Sequence, residues 1–588
     1  MLGRREIIKK YMLEKLQKIT TWQAILVIIV AGSIAFASGL GSQFQGDDNA
    51  QIVNNVPVQS LSNAKLLFEG GTFYNGQGLN PLTGSYYRPL MMLTFSFLHE
   101  LFGLQPLFFH IFQFMLCIGG AIFLFLIFRY SFSQLLALFL ALVFLLHPVN
   151  SQVAFSIATM QDALFFFFGI LAIWLLIRFD SVKSLFPAAL SLFIALLAKE
   201  SAILFIAMAL VFLFWFSRRR LLPFMSILVL PVATWLVLKT NAIGLMVNNP
   251  GNAPIVHLDL IERLMTAPSI MLLYFSKLIF PDKLAAAYYW TNPTFSVQHV
   301  LIPLIIDLAI VALAVYAGYR LHKVAPKAQY YTYLFFSIWT IIGLGIHLQI
   351  IALDFTLTLP WLYFATAGLL GMIGVVLTNL EPFKSFDRNK AMIIMIVILL
   401  LLGGRTFVRG FDYKDQYTLA TKDVQATSEQ FNAYNSMAIY ESGQNDFDSA
   451  LDHARKSVSI YSGATNNNTL GGVLYLTGDF EGAHKAWHEG LKTMELSDIY
   501  VNLVRLTLVY GQPKENEEVI VKALNYFPDD SNIWTYYAIQ LQRNGNNPRA
   551  RDAIQRAQQI KPVEGFIYNN IMENKPFTVN NVQIPAAR

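Results

Sequence analysis

The chain has 588 residues, 55% of them apolar and only 14% charged, with a mean hydropathy of +0.47. Apolar runs of this length do not fit a soluble globular domain and indicate a polytopic membrane protein. The net charge of +6 and pI near 9.0 do not indicate a nucleic-acid binder, because the basic residues punctuate the apolar runs instead of covering one soluble face.

In chain order, residues 1–20 form a basic N-terminus carrying Arg4, Arg5, Lys9, Lys10, Lys15 and Lys18. The first apolar segment, 21–40, is long enough to span and lacks a convincing cleavage site, so it reads as a retained signal anchor. Further spans are predicted at 105–128, 133–147, 162–178, 185–199, 201–217, 221–238, 299–319, 331–351, 361–378 and 391–404, about eleven in all. With the N-terminus in the cytoplasm, alternate junctions should be basic, and they are: Arg129; Arg178 with Lys183; Arg218 to Arg220; Arg320 with Lys323 and Lys327; Lys384 with Arg388 and Lys390. The stretch 263–280 would break that parity as a full span and is taken as a re-entrant or interfacial helix on the outer side. The one cysteine, Cys117, lies inside an apolar run and rules out an intrachain disulfide and a cysteine-based metal cage. After about Gly404 the chain turns polar with helical periodicity. The expected organisation is a membrane domain over 21–405 with a first outer loop at 41–104, a connector at 406–427, helical repeats over 428–565 and a tail at 566–588.

The registration brings four polar stretches to one outer level: Asp47 with Asp48, Arg88 in "YYRPL", His147 in "HPVNSQ", and Lys199 with Glu200 in "AKE". Charged groups at membrane depth are costly and usually line an aqueous cavity or pair with one another. Singly, each has a plain structural explanation. Adjacent loop carboxylates are mostly solvated, an arginine anchors at the interface, a histidine before Pro148 ends a helix, and Lys199 with Glu200 can be a tight turn. Their convergence is what points to a site. The loop between them, 65–87, is rich in Gly, Asn and aromatic residues, and Tyr74, Tyr86 and Tyr87 suit stacking on sugar rings as well as an interfacial belt.

The order of "DDNAQIVNN", "YYRPLMMLTFSFLHELFGLQPLFFHIFQF", "HPVNSQVAFSIATMQDALFF" and "AKESAILF" resembles the membrane part of the TMTC-type proteins, transmembrane and tetratricopeptide-repeat glycosyltransferases of the GT-C fold. The resemblance implies a mainly α protein, a GT-C membrane domain followed by a tetratricopeptide α-solenoid. It also implies inverting transfer of a sugar, typically mannose, from a polyprenyl-phosphate carrier to a protein hydroxyl on the extracytoplasmic side. By match to the family's acidic pair, Asp47 or Asp48 becomes the general base, and Arg88, Lys199 and His147 become donor phosphate or headgroup residues. Tyr87, Glu200, Gln152, Asp162 and His110, which lie in the same motifs, are further cavity candidates. No metal is required by this scheme, and adjacent acids alone make a weak oxygen cage for a divalent cation. The chain departs from the family pattern at Gln152 and Met160, and at Leu359 and Pro360, where an acid and an arginine are expected. A changed donor, a changed acceptor or a lost activity all fit those departures.

In the polar part, "NIWTYYAIQLQRNGNNPRARDAIQRAQQIKP" places Trp534, Ala538, Ala550, Ala557 and Pro562 at tetratricopeptide positions, and "TLGGVLYLTGDFEGAHKAWHEGL" does so with Leu470, Gly471, Ala483 and Trp487. Ala450 precedes Ala483, and Pro528 precedes Pro562, by about one 34-residue repeat, giving about four repeats. The implied partner is an extracytoplasmic polypeptide, either the acceptor or a docked protein. Three classes of function remain: a lipid-linked-sugar transferase, with an oligosaccharide ligase as neighbour; a membrane-anchored scaffold or assembly factor; and a transporter, for which His347 with Gln349 is the best of a poor mid-span set. The sequon at Asn467 lies in a repeat helix, and the disulfide-free build suits a bacterial inner membrane with the repeats in the periplasm, the endoplasmic reticulum being the alternative.

Overall fold

A computed structural model describes residues 19–73, 86–244, 253–381, 387–511 and 513–586. The basic N-terminal residues through Lys18, together with Tyr74 and Lys384, lie outside them. The chain divides into two compact units: the first comprises Met1–Thr72, Tyr86–Met246 and His257–Ala426, and the second Phe73–Ser85, Val247–Val256 and Thr427–Arg588.

The first unit is a bundle of apolar helices: α1 (Thr21–Phe36), α2 (Pro89–Phe102), α3 (Pro106–Phe128), α4 (Gln134–Leu146), α5 (Met160–Arg178), α6 (Leu185–Ala198), α7 (Ile203–Phe216), α8 (Leu221–Ile243), α9 (Leu260–Ile279), α10 (Ile302–Val324), α11 (Lys327–Gly345), α12 (Leu362–Asn379), α13 (Arg388–Asp412) and α14 (Gln416–Ala426). α1 begins at a capping box in which Thr20 and Gln23 satisfy each other's backbone N–H. Among the described residues, seven helices are long and apolar enough to cross a membrane, and eight if the pair Gln134–Leu146 and Pro148–Phe155, bent by 49°, counts as one span. The bend falls at Pro148, whose ring and missing N–H interrupt the helix.

The expectation of about eleven spans therefore needs adjustment. α6 and α7 have 14 residues each, about 21 Å, short of a hydrocarbon core of about 30 Å. The segment expected at 331–351 is α11, which stops at Gly345 and leaves His347 and Gln349 in the following loop. The first outer loop, expected over 41–104, contains a 14-residue helix of its own, α2, entered through Pro89 at its first position. α9 forms where the interfacial helix is expected and starts at an Asp259–Glu262 capping box. Close helix approach is set by small residues: a side chain on Gly169 of α5 would run into Phe205 of α7, and one on Gly371 of α12 into Phe336 of α11.

The second unit repeats one device. Helices pair as α15 (Phe431–Gly443) with α16 (Phe447–Ile460), α17 (Ala464–Leu476) with α18 (Phe480–Leu491), α19 (Ser497–Tyr510) with α20 (Pro513–Tyr526), and α21 (Ser531–Arg543) with α22 (Asn547–Ile560). In three of the four pairs the chain turns between partners through a left-handed residue, Asn445, Gly478 or Gly545. Each is followed at once by a cap: Asp446 accepts from the Ser449 N–H, Asp479 from Gly482 and Asn546 from Arg549. These turns recur at one- and two-repeat multiples of about 34 residues. Ala450, Ala483, Ala538, Ala550 and Ala557 are fully buried, so their helices approach closely, and Gly471 lies directly against Trp487. The segment after the repeats also folds: α23 (Gly565–Met572) is followed by a hairpin of Phe577–Val579 with Val582–Ile584, turned by Asn580 and Asn581, both at positive φ. The Asn467 amide donates to the Gly463 carbonyl at 2.8 Å and to Ser462 at 2.9 Å, and the residue is buried.

Candidate active site

The segment after α1 is seated on the end of α13. Ser38 donates to the Phe407 carbonyl at 2.6 Å, Gln43 N–H to Lys414 at 2.9 Å, and the Gln45 amide to Tyr413 at 3.1 Å. From that seat the chain makes a tight turn. Gly46 takes φ +54°, the Gln45 N–H donates to Asp48 Oδ2 at 3.0 Å, and the Asp48 N–H returns to the Gln45 carbonyl at 3.1 Å.

The turn separates the two adjacent acids. Asp48 is buried and committed to the backbone; burial pushes its carboxyl up to about 7, against the Gln45 N–H. Asp47 is exposed and lies within electrostatic reach of Arg88. Burial raises its pKa, and the Arg88 guanidinium acts to lower it.

Arg88 caps α2 and forms a two-pronged pair with Glu200, Nη2 to Oε1 at 3.0 Å and Nε to Oε2 at 3.4 Å, with Tyr86 stacked 4.2 Å from its guanidinium carbon. Lys199 ends α6 and places its ammonium 2.7 Å from Asp162 Oδ1, with both side chains nearly enclosed at 10% and 3% exposure. Asp162 lies in the first turn of α5, where the helix dipole favours an anion. Asp47, Arg88, Glu200, Lys199 and Asp162 therefore gather at one end of the bundle, although they come from four distant parts of the chain.

Other expected residues do not join them. His147 is occupied on both ring nitrogens: Nδ1 takes the Val149 N–H at 3.2 Å and Nε2 meets the Leu278 carbonyl at 3.0 Å, so it ties the bend of the broken span to α9. Tyr87 is buried with its hydroxyl on the Phe68 carbonyl at 3.1 Å. His110 is buried on α3, with its ring 6.0 Å from that of Phe114. Gln152 sits half-buried in the short helix Ser151–Phe155, and Met160, Leu359 and Pro360 are enclosed packing residues. Lys199, expected to hold phosphate, is committed to Asp162, as Arg88 is to Glu200, and both side chains are only 10% exposed.

Two residues gain importance from the structure. Asp354 has its carboxyl raised to about 6 by burial and by the Asp47 charge, which brings a late loop beside the first one. Gln349, fully buried at φ +62°, holds that loop: its amide donates to Phe355 at 2.8 Å and Thr356 at 3.0 Å, its oxygen accepts from the Leu353 N–H at 3.1 Å, and its carbonyl accepts from Arg263 at 2.9 Å. The loop continues into a short antiparallel pairing of Leu357–Thr358 with Ala287–Tyr288. Gln349 is thus a loop clamp, not part of a transport path. The signal for Asp354 was its place after α11, at a junction that charge parity assigns to the outer level.

No family model matches the chain. Over 214 residues it is 30% identical to the Protein O-mannosyl-transferase TMTC1 of Homo sapiens, the match covering 34% of this chain and 24% of that protein. The chain is similar in sequence to a TMTC-type protein. It spans about a quarter of the length of that curated relative. Among solved structures, ArnT from Cupriavidus metallidurans bound to undecaprenyl phosphate matches at 14% identity and a TM-score of 0.37, covering 80% of each chain. YrrB, a tetratricopeptide protein with an unusual peptide-binding site, matches at 20% identity and a TM-score of 0.24, covering 26% of this chain and 79% of that one. The resemblance carried by the motif order thus recurs as a measured, partial similarity.

Proposed function

We propose that the protein is an integral-membrane glycosyltransferase that moves a sugar from a polyprenyl-phosphate carrier to a hydroxyl of a polypeptide on the extracytoplasmic side. The supporting observation is Asp47: an exposed carboxylate within electrostatic reach of Arg88, while its neighbour Asp48 is spent on holding the turn. The similarity to a relative named as an O-mannosyl-transferase agrees with it.

In the reaction, Asp47 accepts the proton of the acceptor hydroxyl as that oxygen bonds to the anomeric carbon. The carbon–oxygen bond to phosphate breaks on the opposite face, inverting the centre, and its electron pair leaves with the carrier phosphate. Arg88 holds the developing phosphate charge with the N–H groups that Glu200 does not take. A raised carboxyl pKa suits a base that must pick up a proton near neutral pH. The scheme routes no step through a metal. The tetratricopeptide unit presents the acceptor polypeptide, and the N-terminus lies in the cytoplasm of a bacterial cell.

The test separates chemistry from binding. Asp47→Asn should abolish transfer and keep donor affinity, whereas Arg88→Gln should weaken the donor. Full turnover in Asp47→Asn would remove the assignment. A second reading, a membrane-anchored assembly factor, draws on the pairing of both expected cations with acids, Arg88 with Glu200 and Lys199 with Asp162. Failure of wild type to bind any polyprenyl-phosphate sugar would favour it.

A further inference from the structure

At the other end of the bundle the ends of α3 and α5 form an open recess of about 270 Å³ lined by Leu126, Arg129, Tyr130, Trp174 and Arg178, with both arginines and Tyr130 exposed. Both helices start near the Asp47 end, so both terminate here: Arg129 caps α3 and Arg178 is the last residue of α5. Four arginines of the first unit are neutralised by acids: Arg88 by Glu200, Arg409 by Asp412, and Arg219 and Arg220 by Asp180. Arg129 and Arg178 are not neutralised in this way. Among the described residues neither has an acidic partner, and each lies beside a ring, Phe125 at 5.8 Å and Phe179 at 5.2 Å. Asp180, the nearest acid in sequence, is taken by Arg219 and Arg220.

Two guanidinium groups on one small recess repel unless something balances them. The two helix C-termini favour cations there, but each supplies only about half a negative charge. About one positive charge is left over. The lining says what shares the space. Trp174, packed 5.5 Å from Phe123, and Tyr130 are residue types of a membrane–water boundary, and Leu126 adds an apolar wall.

We propose that this recess binds the phosphate of an anionic phospholipid, a singly charged phosphodiester held between Arg129 and Arg178 with its glycerol and first methylenes against Trp174 and Leu126. A basic pocket between membrane helices at headgroup depth is suited to such a ligand. The proposal is independent of the transferase reading, since it concerns the opposite end of the bundle.

The test uses the full-length protein in nanodiscs of phosphatidylcholine mixed with phosphatidylglycerol, with the tightly bound lipid counted by native mass spectrometry. Wild type should retain phosphatidylglycerol in preference to phosphatidylcholine. R129Q/R178Q should lower that preference roughly 30-fold, the effect of two interfacial arginines at about 1 kcal/mol each. R129K/R178K should keep most of it. Absence of any preference in wild type, or its persistence in the double glutamine variant, would overturn the proposal. So would displacement of the lipid by millimolar inorganic phosphate, which would mark a free-phosphate site instead.

Discussion

Removal of the carboxylate from the Lys199–Asp162 pair is a direct test of how the candidate site is supported. At 2.7 Å the attraction between unit charges is about 6 kcal/mol at an effective dielectric constant of 20. Desolvation of both groups offsets much of that, because the side chains are only 10% and 3% exposed. The consequence of breaking the pair is asymmetric. Asp162→Asn leaves the Lys199 ammonium enclosed near the Phe165 ring, 5.7 Å away, with only the Glu200 carboxylate, already paired with Arg88, to balance it. That should cost about 3–5 kcal/mol of stability. The double variant Asp162→Leu/Lys199→Met removes both charges and should fall within about 1 kcal/mol of wild type, since apolar replacements of buried pairs are often near neutral. Unfolding of the full-length protein in mixed micelles, followed by circular dichroism, measures both. A single variant within about 0.5 kcal/mol of wild type would refute the reasoning, because it would mean the pair is solvated and contributes as little as a surface ion pair.

Three further outcomes follow from the same structure. Asp48 has a carboxyl raised from the ordinary 3.8 to about 7, so between those values the folded state binds more protons than the unfolded one and stability falls as pH rises; Asp48→Asn should flatten that slope, and an unchanged slope would contradict the burial argument. The Asp47 charge helps raise the Asp354 carboxyl to about 6. Asp47→Asn should therefore bring the Asp354 carboxyl down toward the ordinary carboxylate range in a pH titration followed by NMR, with an unmoved Asp354 counting against the two loops lying side by side. Gly471→Ala pushes a methyl group into Trp487 and should destabilise the repeat unit by about 1–3 kcal/mol in denaturant unfolding, whereas a neutral result would mean the two helices are free to separate.

Much of this was legible before any coordinates, for reasons of length and sign. Long apolar runs with arginines at alternate junctions fix which helix ends share a level, and Arg88, Lys199 and Glu200 meet as that parity requires. The repeats announce themselves through small residues and turns at a fixed period, as at Gly471 and Gly478. What stayed hidden was what depends on hydrogen-bond direction. "DD" does not say that Asp48 turns back onto Gln45 while Asp47 stays exposed; only the left-handed Gly46 gives the turn that separates them. His147 looked like a cavity wall and is a brace, because its partner, Leu278, is far away in sequence. Asp354 was passed over because the family pattern drew attention to Leu359 and Pro360, and no local spacing relates it to Asp47. α6 and α7 read as full spans, since hydropathy carries no record of where a helix stops.

The central claim is tested most directly by a donor screen. Purified full-length protein in nanodiscs would receive a panel of radiolabelled polyprenyl-phosphate sugars, with extracytoplasmic protein as acceptor, beside the Asp47→Asn variant. The account predicts label entering protein from one donor with wild type and none with the variant. Label transferred equally by both would contradict Asp47 as the base, and no transfer from any donor by wild type would contradict the transferase itself.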